Sequence, residues 1–133
     1  PLMETDFVDV CGAIINQHLH KIKIKFQKKA TVCKYLVPKG YPDNPSKNQK
    51  IKVGKIPQSA RIYYAAVEQK GDMIYTTSSR AIGCLGIADN LKKAEKIAEE
   101  AARSVKGNLF HREDIGTNKL IEKRLRHMEE IMK

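Results

Sequence analysis

The chain has 133 residues, which is the length of one domain and excludes two independent catalytic domains. Hydrophobic residues make up 41% of it and charged residues 30%, which predicts a folded core and excludes a disordered or fibrous protein. The formal net charge of +10 lies in one stretch, because residues 21–55 carry eleven lysines and one acid, whereas the remaining fourteen basic and fourteen acidic residues cancel.

The first predicted element is an amphipathic helix. Its apolar residues recur at steps of three and four from Phe7 to Leu19, and Thr5 or Asp6 can cap its first N–H groups. The residues before it lack the basic start of a signal peptide, and no apolar run approaches the roughly 18 residues of a membrane span. We therefore expect a soluble, cytoplasmic protein with no membrane partner. Because this helix follows Pro1 so closely, we also expect the chain to be a piece of a longer one.

Several short β-strands are predicted next. Between residues 21 and 26, lysines alternate with Ile22, Ile24 and Phe26, which is typical of a half-buried strand with ammonium groups on its exposed face. Residues 38–46 hold three of the five prolines and are predicted to form a loop. Lys70-Gly71-Asp72 is predicted to form a hairpin turn, since glycine tolerates positive φ. The other predicted strands are 30–37, 51–53, 61–67, 73–77 and 81–87.

Two helices are predicted after the strands. The first begins at Asp89 or Asn90, with Asn90 as the candidate cap, and ends near Lys106-Gly107; we expect its alanine-rich face to pack on the sheet. The second spans residues 117–133 and is expected either to dock by one apolar stripe or to bind a partner. The order predicts an α+β fold, with a small antiparallel sheet or half-barrel, the rudiment of a barrel-sandwich hybrid, and one packed helix. The expected division is a helical segment 1–20, a β-rich domain 21–116 and a terminal helix.

The sequence contains no nucleophile, phosphate-loop or zinc-protease motif, so binding is the expected activity of the domain itself. The three cysteines, Cys11, Cys33 and Cys84, lie in separate apolar runs, which favours reduced thiols acting as small core residues. His18 and His20 have no third ligand at metal-binding spacing, and we interpret them as residues at a helix end. No metal site is predicted.

Two polar segments are candidate binding sites. In residues 76–80, hydroxyl groups precede Arg80, whose guanidinium can hold phosphate oxygens in a bidentate arrangement; the alternative is a plain surface turn. The second segment is His111-Arg112-Glu113-Asp114-Ile115-Gly116, for which the alternative is a salt-bridged turn.

These segments, in this order, resemble the C-terminal domain of the glycinamide ribonucleotide synthetase family, also called phosphoribosylamine-glycine ligase. The resemblance covers most of the chain, and its most specific part is the ending Arg-x-Asp-Ile-Gly at residues 112–116. Residues 2–7 likewise resemble the stretch that follows the metal ligands of the family's ATP-grasp core. The matching motifs are Gly40-Tyr41-Pro42, Ile62-Tyr63-Tyr64-Ala65, Ser79-Arg80-Ala81, Asn90-Leu91-Lys92-Lys93-Ala94 and residues 107–116.

The resemblance implies a parent enzyme that uses ATP, with Mg or Mn, to join glycine to phosphoribosylamine in de novo purine synthesis. It implies that this domain packs on the ATP-grasp core of the same chain, helps to close the substrate site, binds no cofactor itself and is inactive alone. Arg80 is then the first choice for a ligand of the substrate phosphate, with Ser79 and Ser78 beside it. The implied interface or site loops contain Gly40, Tyr41, Pro42, Arg112 and Asp114.

Two departures from the family pattern concern this site. Ser78-Ser79 replaces Gly-Gly before Arg80, and Ala66-Val67 replaces Gly-Thr after the tyrosine pair. The lost glycines remove access to positive φ, and Val67 offers no hydroxyl group.

The basic stretch supports an alternative hypothesis, a small nucleic-acid-binding β-domain in which lysines follow the phosphates and Tyr35 or Tyr41 stacks on bases. Against it, aromatic residues make up only 6% of the chain, and residues 21–55 contain no arginine.

Overall fold

The computed structural model describes residues 1–132, which form three α-helices and eight short strands. The fold class is α+β, as predicted. The helices are α1 (Phe7–Ile15), α2 (Leu91–Ser104) and α3 (Asn118–Ile131), and a 3-10 turn spans Leu19–Lys21. The strands are β1 (Ala30–Pro38), β2 (Lys50–Val53), β3 (Ala60–Tyr64), β4 (Val67–Lys70), β5 (Met73–Thr76), β6 (Ile82–Ala88), β7 (Val105–Lys106) and β8 (Leu109–Phe110).

The strands form two antiparallel sheets of four strands, which do not close into a barrel. The first sheet has the order β3-β6-β1-β8, and the second has the order β4-β5-β2-β7. In the first sheet, β6 lies between β1 and β3, with Tyr35 and Tyr63 both paired with Gly83. The predicted hairpin turn joins β4 to β5, with Gly71 at φ +59°.

Helix α2 covers the inner face of the first sheet, as predicted. Its buried alanines Ala94, Ala98 and Ala101 face β1 and β6, and Asn90 caps it by accepting a hydrogen bond from the Lys93 N–H. At Gly86 the helix backbone comes so close that an added Cβ would lie 2.6 Å from the Ala98 nitrogen. Small side chains on both elements therefore allow this close packing.

The second sheet is tied to the loop between β1 and β2 by Thr76. The hydroxyl group of this residue is fully buried, donates to the Ser46 carbonyl at 2.8 Å and accepts from the Gln49 N–H at 3.0 Å. The loop was predicted from its prolines, and its Tyr41–Pro42 peptide is cis.

Four predicted elements differ from the structure, and the first is α1, which ends at Ile15 instead of Leu19. Residues 21–26 form no strand beyond one bridge between Met3 and Phe26, because no strand of either sheet pairs with them, and Phe26 stays exposed. The single strand predicted at 61–67 is two strands, because the chain turns at Ala65 and Ala66. Helix α2 ends at Ser104 instead of near Gly107, since the next two residues pair with β2 as β7.

The two terminal helices differ from α2 in their burial. In α1, Phe7, Val8 and Ile15 are exposed, and Asp6 rather than Thr5 caps the helix. Helix α3 follows Thr117 as predicted but has no fully buried residue; only Leu120 and Ile121 are half-buried, so the expected apolar stripe is not docked along most of its length. Its predicted last residue, Lys133, lies outside the described residues. No helix within residues 1–132 is both long enough and apolar enough to cross a lipid bilayer.

Candidate functional site

The outer face of the first sheet carries an open groove of about 390 Å³. Strand β1 supplies its floor, because alternate residues point to opposite faces: Val32, Lys34 and Leu36 are buried under α2, whereas Cys33 and Tyr35 face outward. The lining is mostly apolar and aromatic, and it includes the polar side chains of His111 and Arg112. The lining residues are Cys33, Tyr35, Val37, Tyr41, Phe110, His111, Arg112 and Ile115.

Arg80 lies beside this groove on the same face of the sheet. Its guanidinium carbon is 5.3 Å from the centre of the Tyr35 ring, which is within the range of a cation–π contact. The Tyr35 ring in turn lies over Gly83, where an added Cβ would approach the ring to 3.3 Å. Arg80 is exposed and has no ion pair within residues 1–132, so its cationic group is available to an anion.

The two loops that the resemblance implied for the interface or site, one around Tyr41 and one around Arg112, meet at the groove. Tyr41 reaches it from a tight turn, in which Gly40 adopts φ +87° and accepts a hydrogen bond from Asn44 N–H at 2.8 Å. Arg112 reaches it from the segment after β8. Asp114 holds the Arg112 guanidinium by two hydrogen bonds of 3.0 and 2.6 Å, and this pairing raises the pKa of Arg112 and lowers that of Asp114.

The remaining predicted site residues lie near the groove or outside it. Ser78 is exposed and Ser79 half-buried in the turn before Arg80, and Pro42 is exposed in the turn after Tyr41. None of these three lines the groove.

His18 and His20 follow α1 as predicted and are exposed. Of the cysteines, Cys84 is a buried core residue as predicted, whereas Cys33 is exposed in the groove and contradicts that expectation.

A buried ion-pair network lies under the groove and was not predicted. Lys34, one of the eleven lysines of the basic stretch 21–55, has a fully buried side chain. Its ammonium group donates to Glu95 at 2.7 Å, to Glu99 at 2.6 Å and to the Glu113 carbonyl at 2.8 Å. Strand β1, helix α2 and the segment after β8 are thus joined at one nitrogen atom.

Electrostatics within this network favour the charged forms. Burial raises the pKa of the Glu99 carboxyl, but hydrogen bonds from its three partners outweigh this effect and lower that pKa to about 2. The partners are Lys34, Arg103 at 2.6 Å and His111 at 3.0 Å. Burial lowers the pKa of Lys34, but the Glu95 and Glu99 carboxylates raise it by more, so the pKa of Lys34 lies above the ordinary lysine value.

The only group of three or more His, Cys, Asp or Glu side chains with metal-ligand spacing within residues 1–132 is Glu99, His111 and Glu113, whose ligand atoms lie within 4.8 Å of one another. A divalent cation does not fit there, because the Glu99 carboxylate already binds the Lys34 ammonium and the Arg103 guanidinium.

A signal for the network is present in the sequence. Lys34 lies two residues from both Val32 and Leu36 and so belongs to the inward face of a strand, while Glu95 and Glu99 lie one turn apart, each directly after an inward-facing alanine of α2. A buried lysine facing two carboxylates follows from these positions only once β1 and α2 are known to pack together.

Comparison with known proteins identifies the family. The model of the family described as "Phosphoribosylglycinamide synthetase, C domain" matches residues 31–118, which include both sheets, α2 and the whole groove. The chain belongs to this family. The resemblance drawn from the sequence motifs is therefore confirmed.

Two curated relatives share one name. The phosphoribosylamine–glycine ligase of Methanosarcina barkeri is 52% identical over 130 residues, and that of Methanosarcina acetivorans is 49% identical over 131 residues. Each alignment covers 98% of this chain and 30% of the relative, so the chain spans about a third of the length of these curated relatives. The crystal structure of phosphoribosylamine–glycine ligase from Thermotoga maritima matches with a TM-score of 0.58 at 25% identity, over 76% of this chain and 26% of that one.

Proposed function

We propose that this chain is the C-terminal part of an ATP-dependent carbon–nitrogen ligase that joins glycine to 5-phosphoribosylamine in purine biosynthesis. The observation that carries this proposal is the family match over residues 31–118, together with relatives of that name aligned over nearly the whole chain. In this function the chain is the domain that helps to close the substrate site, and ATP and its metal ion bind to the rest of the parent enzyme. The chain alone is inactive, and the parent is a cytoplasmic enzyme.

The exposed apolar groups support docking on the ATP-grasp core of the same parent chain. Tyr35, Tyr63 and Phe110 expose 42%, 43% and 46% of their surface on or beside the outer face of the first sheet. In α1, Phe7 and Ile15 expose 65% and 79%. Apolar patches of this kind mark contact surfaces in a folded protein. Segment 1–20 is then the end of the core, domain 21–116 packs against it, and residues 117–133 form the terminal helix.

Arg80 is the proposed ligand of the substrate phosphate. Three properties support this role: its guanidinium is exposed, it has no carboxylate partner within the described chain, and Tyr35 restrains it from one side. Ser78 and Ser79 supply hydroxyl groups and N–H groups in the preceding turn. Arg112 serves instead to shape the groove, because Asp114 already neutralises it. Gly40, Tyr41, Pro42 and Asp114 belong to the loops around this site.

The test is the steady-state kinetics of the full-length ligase carrying Arg80→Ala. A charge-assisted hydrogen bond to phosphate contributes about 1.5 to 3 kcal/mol, so we expect KM for phosphoribosylamine to rise about 10- to 100-fold while KM for ATP is unchanged. Arg80→Lys keeps the charge but not the bidentate geometry, so its KM for phosphoribosylamine should lie between the values for the wild type and Arg80→Ala. Arg126→Ala, an exposed arginine on α3, is the matched control. An unchanged KM for phosphoribosylamine in Arg80→Ala would remove Arg80 from the site.

A further inference from the structure

Helix α3 is largely exposed in the described structure, with only Leu120 and Ile121 half-buried in its first turn. None of its residues is buried, and Leu125, Met128, Ile131 and the capping residue Met132 expose 58%, 52%, 64% and 81% of their surface. A helix of 14 residues is only marginally stable in water by itself. A surface that covers its apolar side would therefore stabilise it.

The apolar residues of α3 follow a heptad pattern. Ile121, Leu125, Met128 and Met132 are separated by four, three and four residues, which is the d-a-d-a spacing of a coiled coil. The resulting stripe is narrow, as expected for pairing with another helix rather than for packing on a sheet. It is two heptads long.

The charged residues beside this stripe indicate which helix fits. In the same heptad, Arg124 occupies a g position, whereas Glu122 and Glu129 occupy e positions. In a parallel pair of identical helices, Arg124 of each helix faces Glu129 of the other, which gives two ion pairs. In an antiparallel pair, Glu122 faces Glu129, and like charges meet.

From this pattern we propose that α3 pairs in parallel with α3 of a second copy of this chain, as a two-stranded coiled coil through Ile121, Leu125, Met128 and Met132. The proposal goes beyond the ligase function and does not depend on it. The contact lies on α3, outside the groove and Arg80. Pairing over two heptads is weak and concentration-dependent, so it becomes visible as the protein concentration rises.

Sedimentation equilibrium of the 133-residue chain over a range of concentrations tests the pairing. We expect the apparent mass to rise from the monomer value of 15.1 kDa towards twice that value. Arg124→Glu places Glu opposite Glu129 and should weaken the dimer about tenfold, since two symmetric pairs are lost. Adding Glu129→Arg to this variant restores opposite charges and should restore the dimer. The matched control is Lys123→Glu with Glu130→Lys, which exchanges charges at the outer f positions and should leave the dimer unchanged.

Three results would overturn the proposal. The first is a chain that stays monomeric at every concentration while circular dichroism shows α3 intact. The second is a dimer that Arg124→Glu weakens but Glu129→Arg does not restore, which places another surface at the contact. The third is a lower melting temperature for Leu125→Glu at concentrations where the chain is monomeric, since this would show that α3 docks on its own chain. None of these results affects the kinetic test of Arg80, so the two proposals fail independently.

Discussion

Replacing Lys34 by methionine removes the cation from the centre of the buried network while keeping a long, flexible side chain. The structure predicts which groups lose a partner: the Glu95 and Glu99 carboxylates, which expose only 19% and 17% of their side chains, and the Glu113 carbonyl. Glu99 retains Arg103 and His111, but Glu95 has no other side-chain partner within residues 1–132.

The expected cost follows from this loss. Removing one partner of a buried ion pair typically costs 3–5 kcal/mol, and the partial exposure of both carboxylates places this case at the lower end, at about 3 kcal/mol. With an m-value of about 2 kcal/mol per molar urea, the midpoint of unfolding should fall by about 1.5 M. The melting temperature should fall by about 10 °C for a chain of this size.

Urea unfolding of the chain measures this effect. The control is Lys52→Met, since Lys52 is an exposed lysine on β2 whose loss should change the free energy of unfolding by less than about 0.5 kcal/mol. Adding Glu95→Gln and Glu99→Gln to Lys34→Met removes the uncompensated charges and should recover part of the loss. The reasoning is refuted if Lys34→Met is as stable as Lys52→Met.

Two further predictions concern the core of the same domain. The pKa of Glu99 is about 2 in the folded chain and 4.5 in the reference state. Its contribution to stability is therefore present above pH 4.5 and is lost as the pH falls towards 2. Urea unfolding should show this as a loss of about 3 kcal/mol in the free energy of unfolding, and the Glu99→Gln variant should not show it. Gly86→Ala should push α2 off the first sheet and lower the free energy of unfolding by about 2 kcal/mol, whereas Gly12→Ala, where an added Cβ meets no atom within 4 Å, should not destabilise the chain. Equal stability of the two glycine variants would contradict the close packing at Gly86.

Sequence reasoning predicted the elements that have strong local signals. Asn90 caps α2 as expected, Gly71 forms the hairpin turn, and the alanine face of α2 packs on the sheet. Errors arose where tertiary pairing decides the outcome. Residues 21–26 alternate as a strand should, but no neighbouring strand pairs with them except at Met3. The end of α2 was predicted too late, because pairing of Val105 with β2 is not a local property.

The candidate site was predicted only in its parts. Tyr41 and Arg112 meet in one groove, although they are 71 positions apart, and the motif resemblance, not their chemistry, was what linked them. The aromatic floor made by Tyr35 and Phe110 was missed, since alternation along β1 shows which residues share a face but not which face stays uncovered.

The buried network and the groove are two sides of the same strand, and this explains why a lysine is buried in so small a domain. Along β1, Lys34 points inward to the carboxylates of α2 and Tyr35 points outward beneath the guanidinium of Arg80. The Lys34 ammonium also holds the Glu113 carbonyl, which directly follows Arg112 in the chain. A rigid inner contact therefore fixes the positions of both the floor and one wall of the groove, while the groups that face outward stay exposed for a ligand or for the rest of the parent enzyme.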